Sequence, residues 1–187
     1  MPDTSFQHAQ ERYARIRQSA YALARDDVLA AGQCTAPVRL ADCDPYTLSF
    51  WRTTWSGPHP SGWGGWDWEP LLRRAWRNPS AFHLAIWSGK ILCGLAVGRV
   101  SNRDREGVRH ALFVDYIESA HPPDHPLRGS IAALAIGAAE AYGKAVGAQS
   151  LRLMQPLPSI LHLYVGLGFG VVKDKERVLY CERRIER

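Results

Sequence analysis

The stretch of sequence that decides the fold is VRHALFVDYIES-AHPPDHPL-RGSIAALAIGAAEAYGKAVG, residues 108–147. Its first part is rich in β-branched and aromatic residues, which is typical of a strand. Its last part carries apolar residues on one helix face, namely Ile131, Leu134, Ala135, Ala138, Tyr142 and Val146. Gly147 is a typical residue at a helix C-terminus. The sequence therefore predicts a strand, a loop and a long helix that begins near residues 127–130.

Two further strands are predicted immediately before this stretch. The runs AFHLAIW (81–87) and KILCGLAVGRV (90–100) have strand length, and the Ser88-Gly89 pair between them is typical of a hairpin turn. The polar segment 101–107 then turns the chain into the strand of the opening stretch. We therefore expect three successive antiparallel strands.

The N-terminal segment is predicted to be an amphipathic helix. Thr4 and Gln7 have the spacing of a capping box, and apolar residues at spacings of three and four follow until a helix end near Gly32. Such an apolar stripe suits packing on the domain, and it equally suits a dimer or partner face. The sequence leaves both roles open.

A short strand and two helices are predicted between this helix and the hairpin. The strand covers residues 37–42, and Asp44 before a proline is a typical helix start. HPSGWGGWDW (59–68) contains too much glycine for regular structure, so we expect a loop with tryptophans there. The second helix is predicted from about Asp67 to Arg77.

The C-terminal part predicts a further strand, a short helix and a hairpin. SLRLMQ (150–155) has the composition of a strand, and Ser159 is a typical start for a short helix through Leu167. The segments GVV (170–172) and RVLYCERRI (177–185) then supply the last hairpin.

Composition indicates one ordered domain. The 187 residues are 46% hydrophobic and 22% charged, which is an ordinary mixture for a folded chain of about one domain. The longest small and apolar stretch, 131–139, is too short for a membrane span. Charges near the N-terminus argue against an export signal, so we expect a cytoplasmic protein without membrane association.

Net charge and the positions of possible metal ligands exclude few classes of function. The net charge of +5 is spread along the chain, so a nucleic-acid partner has only weak support. The four cysteines have no metal-ligand spacing and are expected to be reduced thiols. His121, Asp124 and His125 lie among prolines and lack a fourth ligand, so we expect a stiffened loop and no metal.

The predicted order of elements, taken with three motifs, resembles the GNAT superfamily of acyl-CoA N-acyltransferases over residues 38–185. The strand ending VDYIES leads through a loop to RGS (128–130), where the family places its pyrophosphate loop before a long helix. SLRLMQPL (150–157) occupies the place of the strand that splays from its neighbour. LHLYVGLGF (161–169) looks like the family's lYeklGF ending.

The resemblance implies an α/β (α+β) fold with a mixed, mostly antiparallel sheet flanked by helices. The N-terminal amphipathic helix is an addition to that fold. Residues 1–34 are then an N-terminal helical extension, and residues 35–187 are the acyl-CoA N-acyltransferase-like domain. The implied donor substrate is acetyl-CoA.

The start of the long helix is the predicted site for the pyrophosphate of the donor. First-turn N–H groups have no helical acceptor and lie at the positive end of the helix dipole. Gly129 permits close approach of a ligand, and the Arg128 guanidinium suits phosphate oxygens. The predicted donor-binding residues are Arg128, Gly129, Ser130, Ile131 and Ala132, with backbone groups of Ile117 and Ser119 for the pantetheine arm.

The loop departs from the family pattern Q/R-x-x-G-x-G/A. One register puts Pro126 at the opening position, and both registers put Ile131 where a glycine or small residue is expected. A β-branched side chain at that place predicts crowding of the ligand. Leu157 stands where many members carry an asparagine.

Tyr164 and Glu118 are the predicted catalytic residues. The resemblance places Tyr164 at the family's acid position, and a phenol of pKa about 10 can protonate a departing thiolate. Strand alternation puts Val114, Tyr116 and Glu118 on one face and Asp115 on the other. Glu118 lies nearest the loop, so we expect it to be the base, and an ordered water without a dedicated base stays open.

The acceptor is expected to bind between the first two domain helices and the sheet. Trp63 and Trp66 in the glycine-rich loop could form an aromatic wall, or could simply cover the core. Asp67 could attract a cationic amine, or could serve as a helix-start residue favoured by the dipole.

The resemblance implies an N-acetyltransferase that transfers acetyl from acetyl-CoA to a primary amine by direct attack in a ternary complex. One alternative is a degenerate member with weak or no CoA binding that acts as an interaction module. Another is an acetyltransferase acting on aminoacyl-tRNA or a protein amine. The acceptor is therefore a small-molecule or macromolecular amine, and a homodimer is compatible with the N-terminal stripe.

Overall fold

Seven strands form one sheet in the computed structural model, which describes residues 4–32, 34–58, 64–102, 109–121, 124–173 and 176–186. The strands are β1 (Arg39–Asp42), β2 (Phe82–Ser88), β3 (Ile91–Val100), β4 (Arg109–Ser119), β5 (Ala148–Met154), β6 (Gly170–Lys173) and β7 (Leu179–Arg184). The helices are α1 (Thr4–Ala30), α2 (Pro45–Thr54), α3 (Trp68–Trp76), α4 (Ile131–Val146) and α5 (Leu161–Gly166). These elements follow the order that the sequence predicts.

The strand order across the sheet is β1-β2-β3-β4-β5-β7-β6. Neighbours run antiparallel except β4 and β5, which are parallel because the chain crosses between them through α4. The predicted fold class, a mixed and mostly antiparallel sheet flanked by helices, is confirmed.

Helices cover both faces of the sheet. On one face α1 and α4 close a core that includes Tyr21, Leu84 and Leu112. On the other face α2 and α3 close a second core around Trp51 and Trp68. The chain thus has three layers, and the sheet is the middle one.

Buried polar contacts join α1 to the sheet. Arg17 is 2% exposed and donates to both carboxylate oxygens of Asp42, at 2.7 and 2.9 Å. It also donates to the Ala81 carbonyl oxygen at 3.1 Å, and the Tyr21 hydroxyl donates to the His83 carbonyl oxygen at 2.7 Å. Of the two roles left open for this helix, packing on the domain is therefore observed.

A β-bulge at Asp115 interrupts β4. Gly98 of β3 pairs with Val114, whereas the adjacent Val97 pairs with Tyr116, so Asp115 is an extra residue between two paired positions. A bulge of this kind reverses the alternation of side chains along the rest of the strand. A Cβ on Gly98 would lie 2.2 Å from the Phe113 carbonyl oxygen, so the close approach beside the bulge requires glycine.

The bulge changes which side chains share a face. Val114 belongs to the core under α1 and α4, whereas Tyr116 packs against the core under α2 and α3. Glu118 contacts Trp68 of α3, and Asp115 lines the same cavity as Glu118. The prediction that Val114, Tyr116 and Glu118 share one face opposite Asp115 is therefore wrong.

Candidate functional site

The site begins where two neighbouring strands separate. The parallel pairing of β4 and β5 ends at Val114 and Leu153. Beyond that point, β4 continues to Ser119 with β3 as its only paired neighbour among the described strands. One edge of β4 over residues 115–119 is therefore open.

The direction of the backbone groups along this edge follows from one hydrogen bond. The Ala120 N–H donates to the Cys93 carbonyl oxygen of β3 at 2.8 Å. Because bonding groups alternate along an antiparallel strand, the N–H and C=O groups of Ser119 and Ile117 point away from β3. They can therefore pair with an extended ligand on the open edge.

A cavity of about 540 Å³ occupies the space between the separated strands. It brings together side chains from β4, from the end of β5 and from α5. Its lining comprises Gly64, Trp66, Val114, Asp115, Tyr116, Ile117, Glu118, Ser119, Leu153, Met154, Gln155, Pro156, Leu157, Ile160 and Tyr164. Five predicted site residues, namely Ile117, Glu118, Ser119, Tyr164 and Trp66, meet in this cavity.

Tyr164 lines the cavity from α5 and is 6% exposed. Burial, with a smaller effect of Cys181, raises its pKa to about 12. Its hydroxyl makes no hydrogen bond to the part of the chain that the structure describes. The group is therefore a protonated phenol with its proton available to a ligand in the cavity.

Glu118 is buried, with 5% exposure, and its two carboxylate oxygens accept from different donors. One accepts from the indole N–H of Trp68 at 2.5 Å, and the other accepts from the Gly65 N–H. Hydrogen bonds to a charged acceptor are stronger than those between neutral groups. Glu118 therefore ties the segment before α3 to the end of β4.

Asp115 is the second carboxylate of the cavity, with its side chain 26% exposed. Its carboxylate lies 3.5 Å from the Arg99 guanidinium. Burial raises the pKa of Asp115, and the positive charges of Arg99 and Arg74 oppose the rise. A carboxylate with a raised pKa is a better proton acceptor than an ordinary one.

A second cavity of about 420 Å³ adjoins the first, between α3 and the sheet. The two cavities share five lining residues, namely Trp66, Asp115, Tyr116, Met154 and Gln155. The Trp66 and Tyr116 rings form an edge-to-face pair at 4.9 Å. Gln155 has φ of +46°, an unusual conformation for a residue other than glycine, and marks the junction of the two cavities.

The N-terminus of α4 lies next to the open edge of β4. The Leu134 N–H donates to the Ser130 carbonyl oxygen at 3.0 Å, so the amides of Ile131–Ala133 have no helical acceptor. Arg128 is exposed, and Gly129 has φ of +82°, which favours glycine. The helix begins slightly later than predicted because the Arg128 and Ser130 amides close turns with residues 125 and 127.

Ile131 does not crowd this helix terminus. Its side chain is 3% exposed and packs into the core against Gly94 of β3, where an added Cβ would lie 2.7 Å from Ile131 Cγ2. The expected crowding of the ligand is therefore wrong, because the branched side chain points to the sheet. Because Gly94 has no Cβ, the Ile131 side chain can fill the space beside it.

His125 joins the loop before α4 to the end of β4. Its Nε2 lies 2.8 Å from Ser119 Oγ, and its Nδ1 accepts from the Leu127 N–H at 3.2 Å. Burial, and less strongly Arg128, lowers its pKa. The neutral ring with its proton on Nε2 therefore satisfies both contacts.

No family model and no curated protein matches the sequence, but solved structures match the fold. Ard1 from Thermoplasma volcanium has a TM-score of 0.57 at 14% identity, over 80% of this chain and 99% of that chain. The Paia N-acetyltransferase from Thermoplasma acidophilum, in complex with coenzyme A, has a TM-score of 0.55 at 12% identity, over 79% and 99%. The ribosomal-protein-S18-alanine N-acetyltransferase from Escherichia coli has a TM-score of 0.55 at 12% identity, over 81% of this chain and 96% of that chain.

The chain has the GNAT acetyltransferase fold. In this GNAT fold the open edge of β4, the end of β5 and α5 line the first cavity, and the α4 N-terminus lies beside the same edge of β4. None of the helices in the described part of the chain has both the length and the apolar character of a membrane span. In the same part, His, Cys, Asp and Glu side chains form no group that could hold a metal ion.

Of the other two predicted acceptor residues, one lies outside the two cavities and one is not among the described residues. Asp67 is exposed and caps α3, where its carboxylate accepts from the Glu69 N–H at 3.1 Å, and it lines neither of the two adjoining cavities. Trp63 lies outside the described residues. Trp66 is the predicted acceptor residue that borders both cavities of the GNAT fold.

The cavity residues that were not among the predicted site residues include Arg74, Arg99 and Gln155. Arg74 and Arg99 border the second cavity, and Gln155 borders both. Arg74 follows helical spacing on an exposed face, which gives no signal of a cavity. The bulge brings Asp115 to Arg99, and a bulge has no clear mark in a hydropathy pattern.

Proposed function

We propose that the protein is an acyl-CoA-dependent N-acyltransferase that transfers acetyl from acetyl-CoA directly to a primary amine. The observation that carries this proposal is the cavity at the open edge of β4. There a free phenol, a carboxylate of raised pKa and unpaired backbone groups border one space of about 540 Å³. The coenzyme A complex of a protein with the same fold supports a CoA-based donor.

The donor would lie along the edge of β4 and end at α4. Backbone groups of Ile117 and Ser119 would pair with the pantetheine arm, as an added strand does. The first amides of α4, including those of Ile131 and Ala132, would hold the pyrophosphate. Arg128 and the turn at residues 129–130 lie at the same helix terminus, so Arg128 would add its charge there.

Tyr164 would act as the acid. The amine nitrogen attacks the thioester carbonyl carbon, the carbon–sulfur bond breaks, and the sulfur leaves as a thiolate. The phenol gives its proton to that sulfur and regains one from solvent or from the proton released by the amine. The pKa of about 12 keeps this proton in place before the thiolate forms.

A carboxylate would take the proton that the amine must lose. Glu118 and Asp115 both border the cavity, but the two oxygens of Glu118 already accept from Trp68 and Gly65. Asp115 carries a raised pKa and makes a looser contact, 3.5 Å from Arg99. This geometry favours Asp115 as the base and Glu118 as the residue that positions Gly65 and Trp68.

The amine acceptor would enter through the second cavity. Trp66 borders both cavities and would form the aromatic wall between them. Asp67 follows Trp66 in the sequence and would lie at the approach to this wall, and Trp63 stays a predicted acceptor residue. Acetylation of protein amines is the activity named for one protein of this fold, so a macromolecular amine stays within the proposal.

The test is thermal unfolding with and without acetyl-CoA, with ATP as an anionic control. A ligand at about 100 times its Kd stabilises by about 2.7 kcal/mol, which raises the Tm of such a domain by several degrees. We expect a shift with acetyl-CoA that ATP does not reproduce, and release of the CoA thiol when an amine is added. A chain with no shift at millimolar acetyl-CoA would be an interaction module instead.

A further inference from the structure

The second cavity carries two arginines that the proposed chemistry does not use. Arg74 comes from α3 and Arg99 from β3, and both line the 420 Å³ space beside Asp115. Arg74 makes no hydrogen bond or ion pair with the described part of the chain. Within those residues, the N–H donors of its guanidinium are therefore without a partner.

Arg99 has two contacts that orient its guanidinium group. Its guanidinium carbon lies 4.1 Å from the centre of the Phe113 ring, and the group lies 3.5 Å from Asp115. Its contact to Asp115 is an ion pair that is longer than a hydrogen bond. Stacking fixes the plane of the guanidinium, and no hydrogen bond within the described residues occupies its donors.

The charges around the cavity do not cancel. Two arginines face one carboxylate, so the described wall has an excess of one positive charge. A bare cationic amine would be repelled by both arginines at the distance where Asp115 attracts it. An amine that also carries a negative group would match the pattern, with the ammonium at Asp115 and the anion at the arginines.

The size of the space restricts the ligand. A volume of about 420 Å³ lies in the range of small-molecule sites. Trp66, Tyr116 and Leu71 supply apolar wall, and Asn78 and Gln155 add amide groups. A small molecule with one apolar part, one amine and one carboxylate fits these walls.

We propose that the amine acceptor is a small molecule that carries a carboxylate beside its amine, as an α-amino acid does, and that Arg74 and Arg99 bind this carboxylate. This inference rests on the proposed acetyl transfer. Planar guanidinium groups bind carboxylates with paired hydrogen bonds, and they do so more specifically than lysine does.

The test measures binding of matched products by calorimetry, which does not depend on turnover. N-acetylphenylalanine and N-acetylphenylalaninamide differ only in the carboxylate, and N-acetylglycine and N-acetylglutamate with their amides form two further pairs. We expect at least one acid to bind at least tenfold more tightly than its amide. In Arg74→Ala this preference is lost, and in Arg74→Lys it is partly kept.

Arg73→Ala is the matched control, because Arg73 is the neighbouring arginine of α3 and pairs with Glu69 away from the cavity. It should leave the preference unchanged, and unfolding curves show whether each variant is folded. Acids and amides that bind equally would overturn the inference, and a Tm shift with acetyl-CoA would then still uphold acetyl transfer. A preference that depends on Arg74 in a chain that does not bind acetyl-CoA would uphold the carboxylate site and overturn the transferase.

Discussion

The indole N–H of Trp68 donates to the carboxylate of Glu118 at 2.5 Å, and both side chains are almost fully excluded from solvent. Trp68 is the first residue of α3, and Glu118 lies near the end of β4. The contact therefore fixes the start of a helix to the strand edge that borders both cavities. A buried carboxylate needs such donors because its desolvation is costly when it is unpaired.

Replacing Trp68 with phenylalanine should loosen this connection. One oxygen of Glu118 then loses its donor while it stays buried, which costs about 1–3 kcal/mol of the free energy of unfolding. The KM for the amine should rise, and the Kd for acetyl-CoA should change little, because α4 keeps its position. Denaturant unfolding and initial-rate kinetics measure these quantities.

Trp76→Phe is the control for this substitution. Its indole N–H donates to the neutral Cys43 carbonyl oxygen at 2.8 Å, and it lies at the other end of α3 from Trp68. We expect a smaller loss of stability and no change in the KM for the amine. An equal change of KM in both variants would mean that α3 as a whole, rather than the Glu118 contact, orders the acceptor site.

Tyr164→Phe should lower kcat by about 100-fold or more, since it removes the proposed proton donor to the thiolate. The Kd for acetyl-CoA should stay within a factor of a few, because the ring keeps its tilted contact with Phe169 at 6.3 Å. Tyr142→Phe is the control. Its hydroxyl donates to the Ser80 carbonyl oxygen at 2.9 Å away from both cavities, so it should reduce stability and leave kcat unchanged. An unchanged kcat in Tyr164→Phe would remove this residue from the mechanism.

Asp115→Asn and Glu118→Gln distinguish the two candidate bases. Burial raises the pKa of Asp115 above its ordinary 3.8, so activity should fall as pH falls through that raised pKa and the carboxylate takes up a proton. Asp115→Asn should lower kcat strongly and remove this acidic limb from the pH profile. Glu118→Gln should lower stability and keep the limb. The opposite pattern would make Glu118 the base, as its position in the sequence predicts.

The order of strands and helices could be predicted from the sequence because each element has its own local pattern. The helical spacing from Ile131 to Val146 and the apolar runs of β2 and β3 depend only on neighbours in the chain. The bulge at Asp115 could not be predicted this way. Either alternation of residues 112–118 buries apolar side chains, so the pattern does not show where the strand gains a residue.

Residues of the candidate site could be predicted from the sequence only where they belong to a family motif. Tyr164 and Ile117, which the family resemblance selects as site residues, both line the first cavity. The direction of Ile131 depends on Gly94, a residue 37 positions away that leaves space for its side chain. The arginines of the second cavity depend on how α3 lies over the sheet, which no local pattern determines.

Gly94→Ala should therefore act through Ile131. The added Cβ would lie 2.7 Å from Ile131 Cγ2, which forces the first turn of α4 to move. We expect a loss of about 1–3 kcal/mol in the free energy of unfolding and weaker binding of acetyl-CoA. Ile131→Ala removes the opposing methyl groups, so the double variant should be more stable than the sum of the single effects predicts, by about 1 kcal/mol. Strictly additive effects would show that the two residues do not oppose each other.

The stability of the protein should fall between pH 6.5 and pH 4 because of His83. Its Nδ1 accepts from the Cys43 N–H at 3.2 Å, and burial lowers its pKa to about 4, with Asp42 opposing and Arg17 adding to the effect. In this window the unfolded chain binds the proton at the ordinary pKa of 6.5 and the folded chain does not. The unfolded state is therefore favoured as pH falls, by up to about 3 kcal/mol, and the loss from this group is complete below pH 4.

His83→Gln provides the comparison for this pH dependence. A glutamine oxygen can accept from the Cys43 N–H but does not titrate, so the free energy of unfolding should vary much less between pH 6.5 and 4. His125 has a lowered pKa from burial and contributes with the same sign, so a smaller slope should persist until His125→Gln is added. Denaturant unfolding at half-unit pH steps measures both slopes. A full slope in His83→Gln would show that another group takes up the proton on unfolding.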